Sequence, residues 1–108
     1  MNIVDAIEPS SGNVFADLGL DEPKIELVKA RLSAKIADEI AARGWTQHKA
    51  AKVLGIDQPR VSLLVRGKTG QFSLERLIEF LERLNFDVRL EAKPSTAVSA
   101  RGRLVVAV

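Results

Sequence analysis

Residues 45–68 read Trp45-Thr46-Gln47-His48-Lys49-Ala50-Ala51-Lys52-Val53-Leu54-Gly55-Ile56-Asp57-Gln58-Pro59-Arg60-Val61-Ser62-Leu63-Leu64-Val65-Arg66-Gly67-Lys68, and the punctuation of this stretch decides the fold. Thr46 can cap a helix running to about Leu54. Gly55 accepts the left-handed geometry of a tight turn, and Asp57 can cap a following helix that runs to Arg66, where Gly67 stops it. Ala51 stands four residues before Gly55, where a small side chain lets the two helices cross closely. Val61 and Leu64, with Val65, are the expected inward residues of the second helix of the pair.

Two short helices joined at a glycine, with a polar and basic outer face, have the layout of a helix-turn-helix whose second helix enters the DNA major groove. The competing reading is a helical hairpin inside an unrelated bundle. The alanine–glycine–valine–leucine spacing, the polar caps and the flanking cations together favour the first.

Upstream, Asp21-Glu22-Pro23 is a helix start, with a capping carboxylate and a proline tolerated in the first turn. Ile25, Val28, Leu32, Ile36 and Ile40 recur at three- and four-residue steps, so one stripe of a long helix faces the core, and Gly44 ends it. Before it, Glu8-Pro9-Ser10-Ser11-Gly12-Asn13 resists regular structure, and a flexible acidic arm is expected over residues 1–20. Downstream, Ser73 caps a helix with Leu74, Leu77, Ile78, Leu81 and Leu84 on its apolar stripe. Phe80 lies at the edge of that stripe, as core or as dimer contact.

The period then changes to two. Phe86, Val88, Leu90 and Ala92 alternate with Asp87, Arg89, Glu91 and Lys93, and residues 102–108 read as a second strand. Two strands alone are marginal in water, so a covering helix or a second copy of the chain is expected. The expected fold is mainly α: a bundle of about four to five helices containing a helix-turn-helix, with a short C-terminal β-hairpin or dimerisation sheet. The helix-turn-helix domain is placed at residues 21–85 and the dimerising strands at 86–108.

The 108 residues make one domain. Cysteine is absent, which excludes disulfides, thiolate metal sites and cysteine nucleophiles. The single histidine, His48, builds no metal site and reads as an exposed polar residue rather than a general base. Carboxylates are scattered over helix faces, and Gly67-Lys68-Thr69-Gly70 lacks the preceding glycine and the length of a phosphate loop. Neither an enzyme nor a cofactor is expected. No signal-like or membrane-spanning run is present, so a cytoplasmic protein without membrane contact is expected.

The net charge of +2 hides an uneven distribution. Residues 1–23 carry Asp5, Glu8, Asp17, Asp21 and Glu22 with no Lys or Arg, whereas residues 44–71 carry Lys49, Lys52, Arg60, Arg66 and Lys68 against Asp57 alone. An acidic arm and a basic centre suggest two different partners.

The pattern Thr46-Gln47-x2-Ala50-Ala51-x2-Leu54-Gly55-Ile56-x-Gln58-x2-Val61-Ser62-x-Leu64-x-Arg66-Gly67 resembles the Cro/cI-repressor (XRE) helix-turn-helix family. Ser11 to Gly19 before it and Phe72 to Leu77 after it widen the resemblance to the HigA-type antitoxin branch, over roughly residues 10–93. The resemblance implies that Gln47 bonds a phosphate and braces Gln58, which reads an adenine edge or its neighbour. An amide can bond both N6 and N7 of adenine, which supports that role on geometry alone. Pro59, Ser62 and Leu63 are expected to face bases, and Arg60 a guanine or a phosphate. Thr46, Gln47, Arg66 and Lys68 are expected to hold the DNA backbone, while Lys49 and Lys52 are solvated charges.

The expected partners are a double-stranded operator and a second copy of the chain, since one helix-turn-helix contacts only a few base pairs. The antitoxin resemblance adds a small basic RNA-cleaving toxin, contacted through Val14, Phe15, Asp17 and Leu18 of the arm or else through the fourth helix or the terminal strands. A regulator without a toxin and a helical adaptor without a DNA role are the other readings.

Overall fold

A computed structural model describes residues 22–96 and 101–108. The expected arm, its toxin-contact residues Val14, Phe15, Asp17 and Leu18, and the capping role of Asp21 all lie outside the described residues. The described part holds four helices: α1 Glu22–Ala42, α2 Gln47–Leu54, α3 Gln58–Val65 and α4 Leu74–Arg83.

The starts of α2, α3 and α4 are set by their caps. Thr46 Oγ1 accepts from the Lys49 amide at 3.1 Å, Asp57 Oδ1 from the Arg60 amide at 2.9 Å, and Ser73 Oγ from the Arg76 amide at 3.1 Å. Each bond satisfies a backbone donor that has no partner inside its own helix. All four helices also stop in the same way, on a left-handed residue: Gly44, Gly55, Gly67 and Asn85. The residue after each returns its amide to a carbonyl five positions back, as in Trp45 to Ile40 at 3.2 Å and Phe86 to Leu81 at 3.0 Å. Trp45, Ile56 and Phe86 in that slot are apolar and fold back onto the core. Lys68, in the same slot after α3, is exposed.

The apolar stripes converge on one core. Leu32, Ile36 and Ile40 of α1 meet Ala50 and Leu54 of α2, Val61 and Leu64 of α3, and Leu74, Leu77, Phe80 and Leu81 of α4. Ile25 and Val28, expected on the same stripe, pack only partly against it. Phe80 is fully buried, edge-on to Phe72 with ring centroids 5.7 Å apart, so it belongs to the core. Helix α1 packs on α3 and α4, and α2 packs on α3 and α4. The long helix thus backs the short pair.

Ala50 is the fully buried alanine of α2, and Ala51 is half-buried against the core. The structure corrects the sequence reading at the C-terminus. Neither expected strand forms among the described residues, so the β-hairpin or sheet over 86–108 is absent there. A ladder requires a second row of donors and acceptors. Phe86 and Val88 settle on the core instead, and the far segment lies along α1, where Arg31 Nη2 donates to the Val106 carbonyl at 3.5 Å.

Candidate nucleic-acid interface

Helices α2 and α3 bring their first residues together. The Gln58 side-chain amide donates to Gln47 Oε1, joining two residues eleven positions apart at the heads of the two helices. Both side chains are half-buried. This leaves the second hydrogen of Gln58 Nε2, its Oε1, and the amide hydrogens of Gln47 for other partners.

Around this pair the outer surface is polar and positive. Thr46, Pro59, Arg60, Arg66 and Lys68 are exposed, as are Lys49 and Lys52. Ser62 is half-buried. Leu63, expected on the outer side of α3, is half-buried against the core and offers only part of its side chain outward. Arg66 Nε donates to the Ser62 carbonyl at 3.2 Å, which holds the guanidinium beside the last turn of α3. His48 is exposed and joins no cluster able to hold a metal ion among the described residues.

The frame behind this surface contains contacts that sequence reasoning missed. Ser33, 1% exposed in the middle of α1, donates its hydroxyl to the Leu64 carbonyl at 3.0 Å and ties α1 to the end of α3. Its sequence signal is faint: a serine between Leu32 and Ile36 on the buried side of a helix. Glu79 bridges Arg76 at 2.8 Å and Arg83 at 3.3 Å. Those arginines reach the Gly55 carbonyl at 3.5 Å and the Val53 carbonyl at 3.4 Å, at the C-terminal end of α2. Cations there complement the partial negative charge of the last carbonyls. At the far end of α1, Arg43 donates to the Leu84 carbonyl at 2.6 Å and lies over the Trp45 ring.

Gly55 sits where these constraints meet. Its φ of +72° is the left-handed value the turn needs, and a Cβ there would stand 2.7 Å from Arg83 Nη1. The arginine tip can swing away, so the backbone angle is the stronger requirement.

Two short capped helices meeting at a left-handed glycine, braced by a third and fourth, define a helix-turn-helix protein. The chain belongs to the helix-turn-helix domain family, whose model matches residues 14–93. A solved structure described as an XRE-family transcriptional regulator is 32% identical and superposes with a TM-score of 0.76, over 82% of this chain and 99% of that one. No curated protein matches the sequence.

Proposed function

We propose that this chain is a DNA-binding transcriptional repressor that places α3 in the major groove of a two-fold operator as a homodimer. The Gln47–Gln58 pair is the observation that carries this reading. With one hydrogen of Gln58 Nε2 held by Gln47, the other can donate to adenine N7 while Oε1 accepts from N6. The brace fixes the plane of the reading amide before DNA arrives, so less side-chain freedom is lost on binding. Gln47 keeps its own amide hydrogens for a phosphate.

Pro59, Arg60, Ser62 and the outer part of Leu63 face the bases in this arrangement. Thr46, Gln47, Arg66 and Lys68 hold the backbone on either side and position α3 without reading sequence. Gln58→Ala is expected to cost roughly 1–3 kcal/mol of operator affinity and to relax preference at one base pair per half-site. Fluorescence anisotropy on a panel of single-base operator variants measures both, and an unchanged panel would refute the assignment.

We propose further that the repressor is the antitoxin of a toxin–antitoxin pair, acting in the cytoplasm and repressing its own operon. The support is the acidic composition of residues 1–23 beside a basic DNA-facing centre, with the resemblance to the HigA-type branch. An anionic segment suits the positive RNA-binding surface of a small basic ribonuclease, and Val14, Phe15, Asp17 and Leu18 supply an apolar and acidic docking sequence. Deleting residues 1–20 is expected to abolish binding of the product of an adjacent short gene while operator affinity stays within about twofold. Loss of operator binding in the truncated protein would make the arm structural and remove the argument for a toxin. A regulator without a toxin would bind the operator and ignore that product in both forms.

A further inference from the structure

Residues 87–93 alternate in charge as strictly as in polarity: Asp87, Arg89, Glu91 and Lys93 run negative, positive, negative, positive. All four are exposed. Phe86, just before the segment, and Val88 within it are half-buried on the core, and the apolar row then continues into Leu90, which is 42% exposed. No strand pairs with the segment among the described residues. It therefore leaves the domain with its alternation established and its edge uncovered, the situation that invites pairing with another chain.

We infer that residues 87–93 pair with the same residues of a second copy of this chain, antiparallel, with the two-fold axis at Leu90. This deepens the homodimer invoked above and rests on that reading. The charges select the register. A two-fold at Leu90 sets Asp87 opposite Lys93 and Arg89 opposite Glu91, so all four charges face an opposite charge in both halves of the ribbon. A two-fold at Arg89 sets that residue against its own copy and Asp87 against Glu91. A two-fold at Glu91 sets Arg89 against Lys93. Like charges directly opposite one another destabilise an antiparallel pair. A two-fold at Val88 matches Asp87 with Arg89 but leaves Glu91 and Lys93 without opposite charges. A two-fold between residues sets the apolar row against the polar one.

The Leu90 register also stacks Leu90 on its copy and Val88 on Ala92. It ends the ladder at Lys93, just before Pro94, which has no amide hydrogen to donate. A seven-residue ribbon is narrower than the roughly 1,200 Å² that a stable interface buries. The other large exposed apolar side chains of the described residues, Leu27, Leu104, Val105 and Val108, lie on α1 and the C-terminal segment. That segment starts close to where the ribbon ends, since a Cβ at Gly102 would sit 3.8 Å from the Ser95 Cβ. They supply the remaining apolar area.

The chain has no cysteine, so a single introduced thiol reports the register cleanly. Leu90→Cys places two thiols opposite each other with Cβ atoms about 4.5–5.5 Å apart, close enough to bridge with slight adjustment. Asp87→Cys places them about 20 Å apart, six residues along the ribbon. Mild oxidation is expected to give a covalent dimer of Leu90→Cys and a monomer of Asp87→Cys on a non-reducing gel. Sedimentation provides a second reading on exposed positions outside the core. Arg89→Glu is expected to weaken self-association roughly tenfold, and the double exchange Arg89→Glu with Glu91→Arg to restore it.

Equal cross-linking of the two cysteine variants, a dimer indifferent to Arg89→Glu, no recovery in the double exchange, or a wild-type monomer at high concentration would each overturn the inference. Operator binding is read separately. A dimer of this register that ignores DNA sinks the repressor reading alone, and a DNA-binding dimer indifferent to these charges sinks the register alone.

Discussion

Lys68 occupies a slot that three other helix ends fill with an apolar residue. Trp45, Ile56 and Phe86 each follow a left-handed residue and fold onto the core, whereas Lys68 follows Gly67 after α3 and stays exposed. Packing does not ask for a cation there, and a phosphate would. Lys68→Ala is expected to weaken binding to every duplex alike and to lower the slope of log affinity against log salt by about one. Titrations at several salt concentrations measure it, and a changed base preference would count against a backbone contact. The caps Thr46, Asp57 and Ser73 and the turn glycine Gly55 were legible in the sequence because their bonds close within four residues. The full burial of Ala50 was not, because adjacent positions differ by 100° around a helix and only the packed partner decides which is covered.

Helix α3 owes its position to longer-range contacts. An eight-residue helix has little stability of its own. Val61 and Leu64 seat α3 in the core, and Ser33 of α1 grips the carbonyl of Leu64 in its last turn. Ser33→Ala removes a buried hydrogen bond, although the same carbonyl keeps the Gly67 amide at 3.1 Å. The expected cost is about 1 kcal/mol, read as a lower urea midpoint with an unchanged slope. A midpoint equal to the wild type would mean that the bond contributes nothing to stability. The four helices could be read from caps, turn glycines and apolar stripes, but the clamp of Arg76 and Arg83 on the carbonyls of α2 could not. Those residues read as the wet face of α4, and only the fold brings another helix end within their reach. The C-terminal strands failed for a related reason. Alternation predicts which face a strand would bury, and the half-buried Phe86 and Val88 show it, but a ladder also needs a partner that one chain does not provide here.

For the molecule as a whole, the proposed reading by one braced pair of glutamines covers too little DNA to find an operator among many competing sequences, so on that reading specificity requires two copies held at a fixed separation. On the proposed reading, the exposed basic surface around α3 supplies salt-dependent attraction to any duplex, and the Gln58 amide converts part of it into sequence preference. The sequence separates acid before residue 24 from base around α3, whereas the proposed pairing of two copies depends on a surface outside one chain. The most direct test is selection of bound duplexes from a randomised DNA pool at low and at moderate salt. The predicted result is an inverted repeat with half-sites centred about 10 base pairs apart. Recovery of no enriched sequence, together with no salt-dependent binding of duplex DNA, would contradict the repressor reading.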